Sequence, residues 1–177
     1  MQLEPVVAMR AWWLGWRPNA AAPVLLPVVA GGGPWPALRP ARAVCRRRRR
    51  HEVPGIECLC GLHATTDEAR LRRTRSPGVV GTVAMWGRIV QHERGYRAEM
   101  GYPQRLRLAC FLCLAARGLG SDRPGFVARL RRGRLIPLCD EHLDLARRYD
   151  LPILEVLQAR TVERALLDAY AVDPFGV

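Results

Sequence analysis

The chain has 177 residues, of which 49% are apolar, with a formal charge of +12 and a pI near 10.8. That suits one compact domain, or one with a small appendage, and the charge attracts polyanions, nucleic acid first and an anionic membrane surface second. All 28 basic residues are arginine and lysine is absent, a bias that GC-rich coding also produces, so the excess divides between function and codon supply.

In chain order, residues 6–16 are rich in strand formers and residues 24–29 form a second apolar run, closed by the turn Gly31-Gly32-Gly33-Pro34. Residues 20–33 are too short to span a bilayer. They are broken by Pro23 and Pro27 and preceded by Glu4, so neither a membrane partner nor a secretory leader is expected. Trp12, Trp13, Trp16 and Trp35 fit the core and rim of a small β structure better than a base-stacking platform. A five-arginine run, Arg46, Arg47, Arg48, Arg49 and Arg50, separates Cys45 from His51. Thr65 reads as a helix N-cap with Glu68 as its capping-box acid, and Ser76-Pro77-Gly78 closes that helix near Arg75.

Residues 79–90 are β-like, with Gly81 and Gly87 marking bulges or close backbone approach. A turn at 92–95 leads to an alternating strand, Tyr96 to Tyr102, ended by Pro103, so the pair predicts a hairpin. Arg129, Arg131, Arg132 and Arg134 crowd the approach to a second cysteine pair. A helix opens at Cys139 and runs to about Tyr149, residues 153–157 fit a strand or a helix with the strand favoured, and residues 161–170 form an amphipathic helix with Val162, Leu166 and Tyr170 on one face. The fold class expected is α+β: a small, mostly antiparallel β domain over 1–105, a zinc module over 106–150, and a C-terminal segment over 151–177.

All six cysteines fall into two groups of metal-ligand spacing. One is Cys110-x2-Cys113 with Cys139-x2-His142; the other is Cys45-x5-His51-x6-Cys58-x-Cys60. Zinc takes four tetrahedral sulfur and nitrogen donors, commonly as two close pairs. The first set implies one Zn2+ and the second allows another, with His63 as the alternative to His51. Pairs this close in sequence are poor disulfide frameworks and suit metal in a reducing compartment, so a cytoplasmic location is expected.

The string Cys58-Leu59-Cys60-Gly61, with Trp86-Gly87 and His92-Glu93-Arg94-Gly95-Tyr96-Arg97-Ala98-Glu99, resembles a module of uncharacterised proteins from GC-rich bacterial genomes. The likeness covers roughly residues 6–104 and implies one folded unit there without implying an activity. Cys110-x2-Cys113 followed by Cys139-x2-His142 on a helix resembles the treble-clef and zinc-ribbon group, which serves nucleic-acid binding, protein docking and scaffolding alike.

A closed four-ligand centre leaves no position for an activated water, so it stabilises rather than catalyses. His92-Glu93 is an acid–base couple without a nucleophile around it, and no phosphate-binding glycine loop or hydrolase motif accompanies it. No small-molecule substrate is indicated, although a nuclease built on scattered acids and histidines stays open. Two readings follow. In the first, a non-catalytic zinc protein binds nucleic acid non-specifically, its arginines contacting phosphates from metal-mounted loops. In the second, the zinc centres only hold together a protein-interaction or regulatory scaffold, whose C-terminal helix docks a protein partner or the domain itself.

Overall fold

The computed structural model describes residues 4–17, 21–28, 33–47 and 51–176. The apolar start forms β1 (Val6–Gly15), and β2 (Val24–Pro27) returns beside it antiparallel, setting Trp12 against Pro27 and Gly15 against Val24. Gly31 and Gly32 of the predicted turn lie outside the described residues. Two short strands, β3 (Ala41–Arg42) and β4 (Leu62–Ala64), flank the stretch that carries the first cysteines.

The next helix, α1 (Glu68–Arg72), starts later and ends earlier than its sequence suggests. Asp67, not Thr65, is the N-cap, accepting from the Ala69 N–H at 2.8 Å. Thr65 is taken by the sheet: it exchanges backbone hydrogen bonds of 2.8 Å with Met9. Glu68 makes no capping box and accepts from the Leu119 N–H at 2.9 Å. Tertiary partners outcompete the local cap.

The predicted hairpin is the longest feature of the fold, β5 (Val79–His92) with β6 (Gly95–Leu108). Pro103 does not end the second strand. The ladder shifts register between Thr82 and Val83, and Pro103 falls opposite Val83 at this irregularity, where a missing N–H is tolerated. A second shift between Trp86 and Ile89 contains Gly87, whose φ of +76° favours glycine. Gly81 has no room for a side chain, since a Cβ would run into the Arg105 carbonyl.

Beyond the hairpin come α2 (Phe111–Arg117), β7 (Phe126–Leu130), a 3₁₀ turn (Arg131–Gly133), β8 (Arg134–Leu138), α3 (Asp140–Arg148), β9 (Ile153–Gln158), α4 (Ala159–Tyr170) and β10 (Asp173–Pro174). Among the described residues the strands form one mostly antiparallel half-barrel sheet in the order β10-β6-β5-β1-β8-β7-β9. β2 is added on β1, and β3 and β4 on β6; only β10 and β6 run parallel. The sheet passes through all three stretches distinguished in the sequence.

One side of the sheet holds the main core. Trp12, Leu14, Val79, Val83, Met85, Leu106 and Leu108 pack with Val162, Leu166 and Tyr170 of α4. The apolar stripe of that helix is therefore spent inside the protein. Tyr170 also ties α4 to the N-terminal strands: its hydroxyl accepts from the Leu25 N–H at 3.0 Å and donates to the Trp35 carbonyl at 2.8 Å. Trp12 and Trp35 meet edge to face at 5.4 Å in this core, while Trp13 and Trp16 are half-buried. A smaller cluster of Ala11, Val80, Leu71, Ala109 and Leu114 seats α1 and α2.

A fully buried ion pair closes the segment after β6. Arg107 Nη2 lies 2.8 Å from Asp122 Oδ1, a close charge contact without hydrogen-bond alignment. Oδ1 also accepts from the Gly120 N–H at 3.1 Å, and the Asp122 carbonyl accepts from the Cys110 N–H at 2.8 Å. Removing one partner strands the other charge in the interior. Asp122→Ala is expected to lower unfolding free energy by about 3–5 kcal/mol in urea titrations, whereas the double change Arg107→Met with Asp122→Leu recovers much of that loss.

Candidate metal centres

Cys110 lies two residues past the end of β6 and is the N-cap of α2; Cys113 stands three residues on. Cys139 follows β8 and caps α3, again with its partner, His142, three residues on. The two ligand pairs thus occupy the same two positions, N-cap and third helical residue, on two helices. The first pair opens a helix rather than the turn that its sequence suggests. Side chains three apart share a helix face, so each pair presents two donors to one point.

The four donor atoms converge there. His142 Nδ1 lies 3.3 Å from Cys110 Sγ, 3.4 Å from Cys113 Sγ and 3.1 Å from Cys139 Sγ, and the Cys113 and Cys139 sulfurs are 3.6 Å apart. All lie within 4.8 Å of one another. Zinc–sulfur bonds near 2.3 Å give tetrahedral edges of about 3.8 Å, so the spacing matches a four-coordinate metal. Leu138, Leu143 and Ala128 pack around this helix-start centre. Burial pushes the Cys113 thiol up to about 12 and also raises Cys110, so an incoming metal ion must displace their protons at neutral pH.

The second centre is held in a loop. Cys45 Sγ is 3.7 Å from Cys58 Sγ and Cys60 Sγ is 3.8 Å from His51 Nε2, with all four donors again within 4.8 Å. His51 Nδ1 contacts the Glu52 carbonyl at 2.8 Å. A proton on Nδ1 satisfies that contact and leaves the Nε2 lone pair for a metal, the usual outer-shell arrangement of a ligating histidine. Hydrogen bonding to Cys45 raises the His51 imidazole from its ordinary value, and burial raises the Cys60 thiol. His63, the alternative ligand, is engaged elsewhere: its Nε2 contacts the Leu59 carbonyl at 2.9 Å.

One residue that positions this loop was not foreseen. Arg97 of β6, which the alternating pattern places on the solvent side, is 6% exposed. Its Nη1 donates to the carbonyls of Gly55 at 3.1 Å and Cys60 at 3.2 Å, and also to that of Cys58. Three carbonyls that a tight cysteine loop turns inward thereby gain one donor. The only hint in the sequence is an arginine between two apolar-flanked positions of a strand, too common a pattern to single it out.

The arginines expected to contact phosphates divide. Arg46 and Arg47 are exposed beside Cys45, while Arg48, Arg49 and Arg50 lie outside the described residues. Arg129 is held by Glu155 at 3.1 Å and Arg134 lies over the Trp13 ring at 5.2 Å. Arg131 and Arg132 stand exposed at the tip of the β7–β8 hairpin, where Arg132 has φ +61°. No family model, curated protein or solved structure matches this chain, so the function has to be read from these groups themselves.

Either Cys/His cluster can hold a metal ion. Metal analysis by mass spectrometry is expected to give about two divalent ions per chain, about one in either Cys139→Ser or Cys58→Ser, and an unchanged count in His63→Ala. Uptake at pH 7 should release roughly one proton per thiol, seen as a buffer-dependent heat in titration calorimetry, and apparent affinity should fall as pH is lowered.

Proposed function

We propose that the protein is a zinc-binding, non-catalytic protein that binds nucleic acid non-specifically through arginine-rich loops. Three thiols and one imidazole at tetrahedral spacing suit Zn2+ over harder ions, and four protein donors complete its coordination with no position left for substrate or water. Both centres then act as mounts for what they carry. Thiolate centres of this kind persist in a reducing compartment, and a cytoplasmic location belongs to the same reading.

The observation that carries the nucleic-acid part is the placing of uncompensated charge. Arg46 and Arg47 follow the candidate ligand Cys45 directly, and Arg131 and Arg132 lie at the tip of a hairpin whose second strand, β8, leads into Cys139. All four are exposed and none has a carboxylate partner among the described residues, whereas Arg42, Arg88, Arg117, Arg129 and Arg147 each have one. Guanidinium groups held on rigid mounts and free of acids are suited to phosphate oxygens, which they meet two N–H bonds at a time.

Binding of this kind is driven by counterion release. Four phosphate contacts predict a log–log salt slope of roughly −3.6 on duplex DNA and about −2.8 on single strands, measured by fluorescence anisotropy. Replacing Arg46, Arg47, Arg131 and Arg132 with alanine should flatten the slope and leave metal content intact, since none of them is a ligand. A protein that ignores DNA and RNA at low salt would overturn the proposal in favour of the scaffold reading.

A further inference from the structure

Beside the loop centre lies a cleft of about 830 Å³, a volume in the range of small-molecule sites. It is bounded by β1, by the segment around Trp35 and by residues 41–47 and 58–64. Arg10, Arg42, Arg46 and Arg47 line it, and no aspartate or glutamate is among its described lining residues. Glu99 compensates Arg42 at 2.8 Å, so the other three cations face the cleft unneutralised.

Arg10 is the unusual member. It is 9% exposed, lies 4.8 Å over the Trp35 ring, and has no carboxylate partner among the described residues. One Nη donates to the His63 carbonyl, while its Nε finds no acceptor. Burial pushes this guanidinium down to about 10, which still leaves it charged at neutral pH. A buried cation held by the Trp35 and Trp12 ring faces and a single carbonyl is only partly compensated, and an oxyanion would complete its shell. At the mouth of the cleft two apolar side chains stand in water, Val44 at 75% and Leu59 at 79% exposure, one on each arm of the metal loop. A ligand that neutralised the arginines while covering those two side chains would have an anionic head and a planar or apolar body.

We propose that this cleft binds a phosphate-bearing nucleotide unit, free or within a single strand, with its phosphate at Arg10, Arg46 and Arg47 and its base or sugar against Val44 and Leu59. Three unneutralised cations match a phosphate better than a single carboxylate. A recessed arginine is reached by one flexible backbone with its base turned aside, not by a duplex whose bases are paired inward. The inference rests on the nucleic-acid reading and narrows it to single strands.

The test uses the metal-loaded full chain with adenosine monophosphate, adenosine, inorganic phosphate, a twelve-residue oligothymidylate and a duplex of equal length. Calorimetry should show the monophosphate binding at least tenfold more tightly than adenosine, with inorganic phosphate competing. Oligothymidylate should bind more tightly than duplex at equal salt. Arg10→Gln should weaken monophosphate and oligothymidylate at least tenfold while metal content and circular dichroism stay unchanged. Should that variant fail to fold, the exposed pair Arg46→Ser with Arg47→Ser decides, with a several-fold loss expected. The cleft assignment is overturned if adenosine binds as well as its monophosphate, or if the folded variants bind the monophosphate like the parent. Duplex binding without monophosphate binding overturns it too and leaves the phosphate-contact reading standing. Monophosphate binding without any polymer binding supports the cleft and overturns that reading.

Discussion

The helix-start centre joins parts of the sheet that hydrogen bonding alone would keep apart. Cys110 follows β6 and Cys139 follows β8, and in the sheet order β5 and β1 lie between those strands. On a flat sheet with about 4.8 Å between neighbours, two intervening strands would set the strand ends about 14 Å apart. Their four donors lie within 4.8 Å of one another. The sheet curls into a half-barrel, and along this path β1 and β8 share only the pairs Leu14 with Leu135 and Gly15 with Arg134. The half-barrel and the donor cluster are one arrangement seen from two sides.

Arginine serves several ends in this chain. Arg107 braces the segment that leads into Cys110, Arg97 collects the carbonyls of the cysteine loop, and Arg10 lies under a cleft. Others are spent on surface carboxylates, where a pair contributes little. A positive net charge read from composition mixes all of these with the few guanidinium groups that remain available to a partner. Only the last kind bears on polyanion binding, and their placing beside metal ligands carries more meaning than the sum.

Much was legible in the sequence. Cysteine spacing marked both donor groups because ligation demands short, fixed separations that survive translation into one dimension. The long hairpin and the C-terminal helix followed from period and turn residues, whereas residues 153–157 fitted strand or helix and form a strand. The failures share a cause. Thr65 is a good cap in isolation but completes a bridge to Met9 instead, and Pro103 is a strand breaker that a register shift accommodates. The alternation of β6 puts Arg97 on the solvent side, yet it is buried. In all three cases the deciding partner is far away in the chain and leaves no local trace. Spacing alone left His51 and His63 as alternatives; the structure puts His51 within the donor cluster and His63 against the Leu59 carbonyl.

Arg97 touches backbone oxygens only, and carbonyl dipoles do not cancel a whole charge. Three thiolates and a neutral imidazole around a divalent ion would carry one net negative charge, and two of the thiolates, Cys58 and Cys60, belong to residues whose carbonyls Arg97 holds. Protonated thiols carry none. Bound to a divalent ion, the cluster would be a counterion for this guanidinium. Arg97 links the long hairpin directly to a loop some forty residues earlier in the chain, so filling or emptying that loop would change the surroundings of a buried charge in β6.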